Sequence, residues 1–168
     1  IVISCKQNNQ VENLINKKVE EVGAEIIWKN SISDSHQLGL KGIFQKQNAS
    51  VAVGVIEALN KFGFKIKENY IYEGLKKTIW HGRLEIINYM DKKILVDCAH
   101  NYPAAKALSN ERSNWNNQEE GIYWIIGAQK QKDMPAILKT LLKKNDHLLL
   151  VPVPNQPSWK LKDLSKVE

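Results

Sequence analysis

The order of apolar and polar positions divides this chain into short strands and amphipathic helices. Positions 1–4 and 25–28 read as strands, and between them Val11, Leu14, Ile15, Val19 and Val22 keep helical spacing up to Gly23, a residue suited to the place just past a helix end. That is a βαβ-like unit. Positions 31–46 are polar and hold Gly39 and Gly42, so they read as loop or irregular strand. A second helix is predicted from about Asn48, carrying Val51, Val55, Leu59 and Phe62 as its apolar stripe and stopping at Gly63, with a short third helix over 69–79. Positions 84–89 and 93–96 read as a hairpin around Asp91-Lys92. Helices over 103–108 and 135–142 then alternate with apolar strands over 122–126 and 147–153, which predicts a mainly parallel sheet covered on both faces. Residues 115–120 read as an exposed loop. The change of texture after Ile79 places a domain boundary there, giving 1–79 and 80–168.

Composition narrows this α/β picture. With 168 residues and 43% hydrophobic content the chain can bury a core as one domain or two small ones. No apolar run approaches the roughly 20 residues that span a bilayer, and no basic region precedes a signal-like apolar stretch, so a cytoplasmic protein without a membrane partner is expected. Cys5 and Cys98 lie far apart without metal-ligand spacing, which fits a reducing compartment. The net charge of +6 comes from dispersed pairs such as Lys17-Lys18 and Lys143-Lys144, with no interleaved aromatics. That pattern suits anionic small molecules better than nucleic acid. The chain opens on Ile1 in a strand-like run, so a piece of a longer protein is expected.

The candidate chemistry is concentrated where apolar runs end. Ile94-Leu-Val-Asp-Cys-Ala-His-Asn-Tyr-Pro103 passes from an apolar run to a carboxylate, an imidazole and an amide, then opens a helix. Ligands of open α/β sheets bind beyond the carboxyl ends of the strands, so Asp97 is placed to accept hydrogen bonds from ribose hydroxyls. A solvated acid in a βα turn is the bland alternative. His100 beside a helix N-terminus can orient an anion, whereas Asn101 and Pro103 also suit plain capping. In Trp80-His-Gly-Arg-Leu-Glu85 the planar fork of Arg83 suits phosphate, and its competing use is an ion pair with Glu85 on the same strand face. Asn48 can read an adenine edge or serve as an N-cap. The 127–133 segment, Gly-Ala-Gln-Lys-Gln-Lys-Asp, is either an anion-binding loop or a solvated connection.

Taken in order, these segments resemble folylpolyglutamate synthases and dihydrofolate synthases of the Mur ligase superfamily. Gly42-Ile-Phe-Gln-Lys-Gln-Asn48-Ala49 is similar to the G-x-H-Q-x-x-N-A element that closes the family's central ATPase domain. Trp80 through Glu85 is similar to W-x-G-R-x-E at the start of its C-terminal domain, Asp97 through Pro103 to its D-G-A-H-N-P turn, and 127–133 to its later D-K-D loop. The resemblance implies the end of a central ATPase domain over 1–79, then a Rossmann-like, mostly parallel C-terminal domain, truncated, over 80–168. It implies an ATP-dependent ligase joining L-glutamate to a folate or to dihydropteroate through an acyl phosphate. Asn48 would contact adenine, Arg83 the phosphates and Asp97 the ribose. His100 and Asn101 would flank the reacting centre, and His100 and Lys132 would meet substrate.

The expected ligands are therefore ATP, Mg2+, glutamate and a folate or dihydropteroate, handled by a monomer. The family's G-K-[ST] phosphate loop is absent from this sequence, so the magnesium ligands are expected outside it and the chain alone is expected to be inactive. Phe44 stands where the family has His, His81 where it has Pro, Cys98 where it has Gly, and Tyr102 is inserted before Pro103. If position 98 needs a left-handed backbone, Cys98 must alter the turn. A peptidoglycan-precursor ligase of the same superfamily and a non-catalytic nucleotide-binding module are the competing readings.

Overall fold

The computed structural model describes residues 1–115 and 120–164, so most of the loop expected over 115–120 lies outside the described residues. The chain forms two compact units, Ile1–Asp97 and Cys98–Glu168. The boundary expected at Ile79 falls inside the first of them, in the stretch that joins its third helix to a hairpin.

In the first unit, β1 (Val2–Cys5), α1 (Asn9–Glu21) and β2 (Ile26–Lys29) form the expected βαβ unit, with β1 parallel to β2 and Val2 opposite Ile26. Asn8 caps α1 by accepting from Val11 N at 3.0 Å, and Gly23 follows the helix end at φ +61°. The α1 stripe is mostly uncovered: Val19 is buried, whereas Val11, Leu14 and Val22 are exposed.

The next helix, α2 (Phe44–Lys61), begins a turn earlier than predicted. Gly42, at φ +109°, breaks the preceding chain, and its carbonyl accepts from Gln45 N at 3.0 Å to open the helix. Its buried face is Gln45, Ala49, Ser50, Val53, Gly54 and Ala58, not the stripe of larger residues read from the sequence. Small side chains let the helix approach the β1–β2 sheet closely. A Cβ at Gly54 would come within 2.8 Å of Ile3 Cγ2.

After α3 (Glu68–Lys77), strands β3 (Glu85–Tyr89) and β4 (Lys92–Val96) pair antiparallel. Tyr89 pairs with Lys92, so the turn is Met90-Asp91, one residue before the predicted one. Both turn residues adopt positive φ, 43° and 59°, as a tight hairpin matched to strand twist requires. The apolar run before Asp97 is largely uncovered: Ile94 and Leu95 are exposed, as are Ile87 and Ile86 opposite them on β3, and Val96 is half-buried.

The second unit contains α4 (Tyr102–Glu111), a 3-10 turn (Arg112–Asn114), β5 (Tyr123–Ile126), α5 (Met134–Leu141), β6 (His147–Leu150) and α6 (Leu161–Leu164). Its core is built from Ala105, Leu108, Met134, Ile137, Leu138 and Leu141 of α4 and α5. Strands β5 and β6 are parallel as predicted, with Tyr123 opposite His147. They are not shielded on both faces: Tyr123, Ile125, His147 and Leu149 are exposed while their neighbours are half-buried. Each sheet among the described residues has two strands, and alternate side chains of so narrow a sheet point to opposite faces.

A buried ion pair ties this unit together. Asp146 accepts from Arg112 Nη1 at 2.5 Å and Nη2 at 2.8 Å, from Ile122 N at 2.8 Å, Lys143 N at 2.9 Å and Trp124 Nε1 at 3.0 Å. Arg112 also donates to Leu141 O at 3.2 Å, so the 3-10 turn, the end of α5 and both parallel strands meet at one carboxylate.

Candidate functional site

In the first unit the turn at 80–85 is shaped by two left-handed residues, Gly82 at φ +73° and Leu84 at φ +46°. This backbone folds Glu85 back on its own turn, where it accepts from Gly82 N at 2.8 Å and lies 2.7 Å from His81 Nδ1. Those two contacts, His81 first, hold the Glu85 carboxyl below its ordinary value. The Arg83–Glu85 pair therefore does not form. Arg83 is half-buried, its guanidinium lies 5.7 Å from the Trp80 ring centroid, and it has no hydrogen-bond or ion-pair partner among the described residues.

Leu84, which sequence reading passed over, is the hub of this turn. It is 4% exposed, a bulky residue in a backbone region that normally favours glycine. Its N–H donates to Asp97 Oδ2 at 3.0 Å. Its side chain lies against Gly42, where an added Cβ would stand 2.7 Å from Leu84 Cδ1. The Gly42 segment, the arginine turn and Asp97 thus converge on one residue. Asp97 does follow β4, but β4 belongs to an antiparallel hairpin, so the parallel-strand edge invoked from the sequence does not apply.

Asn48 is not an N-cap. It sits inside α2, exposed, with Nδ2 donating to Oε1 of the buried Gln45 at 2.9 Å. The quoted Q-x-x-N spacing contains this pair, because residues three apart share a helix face.

In the second unit Asn101 does cap α4, accepting from Ala104 N at 2.9 Å, with Pro103 in the first turn. His100 is exposed and its Nδ1 lies 3.0 Å from Cys98 O. A carbonyl only accepts, so Nδ1 carries the proton and Nε2 of the neutral ring is left as an acceptor. Cys98 is not left-handed, and the turn needs no glycine there.

The 127–133 segment is not a freely solvated loop. Lys130 pairs with Asp163 at 2.8 Å and lies 4.1 Å from the Trp159 ring centroid. Asp133 caps α5 by accepting from Ala136 N at 3.1 Å, and Lys132 is half-buried with no partner for its ammonium among the described residues. Trp159 was invisible to motif reading, since it lies far along the chain from the loop it holds.

Among the described residues no group of three or more His, Cys, Asp or Glu is placed to hold a metal ion, and no helix is long and apolar enough to cross a membrane.

Residues 83–155 match the family described as dihydrofolate synthetase, C-terminal domain. The chain is 34% identical over 112 residues to the probable dihydrofolate synthetase of Schizosaccharomyces pombe, a match covering 66% of this chain and 27% of that protein. It is 33% identical over 104 residues to the dihydrofolate synthase/folylpolyglutamate synthase of Buchnera aphidicola, covering 62% and 25%. The fold is similar to that of Mycobacterium tuberculosis folylpolyglutamate synthase complexed with ADP and AMPPCP, with a TM-score of 0.80 at 17% identity over 97% of this chain and 42% of that one. The chain spans about a quarter of the length of these curated relatives, 27% and 25%.

Proposed function

We propose, from the premise that this chain belongs to the dihydrofolate synthase and folylpolyglutamate synthase family, that it supplies nucleotide-binding and acid-binding residues to an ATP-dependent ligase that adds L-glutamate to dihydropteroate or a folate. The observation that carries this reading is the unneutralised Arg83: its obvious partner, Glu85, is occupied by His81 and the Gly82 N–H. A guanidinium supported by an aromatic ring and lacking a carboxylate is suited to polyphosphate. The ADP and AMPPCP named with the M. tuberculosis structure support ATP as the nucleotide.

In this reaction a substrate carboxylate oxygen attacks the γ-phosphorus of ATP and ADP leaves. The glutamate amine then attacks the acyl carbon, phosphate leaves and the amine loses a proton. In the first unit Arg83 aligns the phosphates, Asp97 accepts from the ribose, and Asn48 reads the adenine edge while Gln45 fixes its rotamer. In the second unit the acceptor nitrogen of His100 receives a hydrogen bond from the incoming amine, Asn101 orients the reacting group with its amide N–H, and Lys132 binds a substrate carboxylate. Mg2+ belongs to such chemistry, but no group among the described residues fits it, and its ligands are proposed to lie in other parts of the full-length protein.

We keep 1–79 and 80–168 as the end of the central domain and the C-terminal domain, a division supported by the family match beginning at residue 83. The full-length protein is proposed to be a cytoplasmic monomer. Calorimetric titration of that protein with ATP and then with dihydropteroate or folate, beside a glutamate-incorporation assay, tests the reading. Saturable ATP and pterin binding with glutamate incorporation is expected; ATP binding without incorporation would leave only a nucleotide-binding module.

A further inference from the structure

The two lysines of the 127–133 segment are held differently. Lys130 is committed to the fold through Asp163 and the Trp159 ring, whereas the Lys132 ammonium has no partner among the described residues. The backbone around Lys132 is nevertheless pinned on both sides. Its N–H donates to Gln129 O at 3.0 Å, and its carbonyl accepts from Met134 N at 2.9 Å and from Trp159 Nε1 at 2.9 Å. Further contacts bind the two segments together: Trp159 N donates to Ala128 O at 3.1 Å, Lys130 N donates to Pro157 O at 2.8 Å, and Gln129 bridges Ser158 antiparallel.

We infer that Trp159 is a positioning residue, fixing Lys132 so that its ammonium meets a substrate carboxylate; the inference rests on the role proposed above for Lys132. An indole combines a face that attracts the Lys130 ammonium with an N–H that grips the Lys132 carbonyl. One side chain thereby holds one lysine in the scaffold and anchors the backbone of the other. A lysine on a free loop spreads its charge over many positions, and binding must then order both side chain and loop. Anchoring the backbone beforehand removes the loop part of that cost, so it acts on substrate affinity and not on the chemical step.

The test is steady-state kinetics of the full-length protein with Trp159→Phe, Lys132→Gln and the double variant, varying glutamate, the pterin acid and ATP in turn. Phenylalanine keeps a ring for Lys130 and removes only the N–H. Lys132→Gln should raise KM for one of the two acids. Trp159→Phe should raise the same KM by about twofold to tenfold, the range for one neutral hydrogen bond, leaving kcat and the KM for ATP near their original values. The double variant should be no worse than Lys132→Gln. Calorimetric titration with glutamate and with the pterin acid gives the same comparison without turnover.

If Lys132→Gln raises KM and Trp159→Phe does not, or if their effects add in full, the positioning role of Trp159 is wrong while that of Lys132 stands. If Lys132→Gln changes neither KM, the Lys132 role and this inference fall together. Should Trp159→Phe not fold, Asp163→Asn, which loosens the same strap through Lys130, is read by the same criteria.

Discussion

At the scale of single residues, Asp97 and Arg83 are the sharpest tests of the nucleotide reading. Asp97→Ala removes the proposed ribose acceptor, and a hydrogen bond to a charged group is worth about 1.5–3 kcal/mol, so nucleotide affinity of the full-length protein should fall roughly tenfold to a hundredfold. Calorimetry beside a melting curve checks it, because Asp97 also holds Leu84 N and part of the loss is structural. An unchanged dissociation constant removes Asp97 from the site. Arg83→Lys keeps the charge and loses the bidentate fork, so turnover should drop while the melting temperature holds. Normal turnover would mean that the guanidinium serves only its contact with the Trp80 ring.

At the scale of elements, two junctions carry predictions. Gly42→Ala places a Cβ 2.7 Å from Leu84 Cδ1 in a φ +109° backbone, combining a clash with a conformation alanine avoids. A loss of about 1–3 kcal/mol is expected from overpacking, measured by denaturant unfolding. Stability unchanged by the alanine would dissolve the proposed convergence on Leu84. In the second unit, hydrogen bonds from Arg112 above all, then from the Lys143 and Ile122 N–H groups and the Trp124 indole, hold the Asp146 carboxyl far below its ordinary value against the opposing effect of burial. A depressed folded-state pKa contributes stability that is complete above the unfolded value, roughly 4, and is lost as pH falls below it. The melting temperature of this unit should therefore decline between about pH 4 and pH 2. Asp146→Asn should melt lower at neutral pH and show a flatter acid limb; equal acid limbs in both proteins would assign the decline to other carboxyls.

At the scale of the whole molecule, the chain on its own should neither hydrolyse ATP nor ligate glutamate. It has no G-K-[ST] loop and covers 27% of its S. pombe relative. Phosphoryl transfer depends on positioning and charge stabilisation, most of which such a loop and its metal supply. Purified chain is to be assayed beside the full-length protein, and turnover by the chain at a matched rate would refute this. A fivefold or greater loss of ATP affinity relative to the full-length protein is the accompanying expectation, since five-fold corresponds to only about 1 kcal/mol of missing contacts.

The sequence by itself determined the order and type of the longer elements, though not the 3-10 turn or α6, because helix and strand periods, the glycine after α1 and the Asn101-x-Pro103 start of α4 are local signals that act over a few residues. It also carried the resemblance to the dihydrofolate synthase and folylpolyglutamate synthase family, through motifs that keep their order along the chain even where Tyr102 interrupts one of them. Only the tertiary structure decided which face of α2 is buried, since Ala49, Val53 and Gly54 are selected by close approach to β1 and β2 and not by hydrophobicity. It likewise decided the partner of Glu85, the left-handed backbone at Leu84, and the grip of Trp159 on Lys132. Each of these depends on a backbone reversal or on residues far apart in the chain, and no periodicity along one dimension records which distant atoms a fold brings within hydrogen-bond reach.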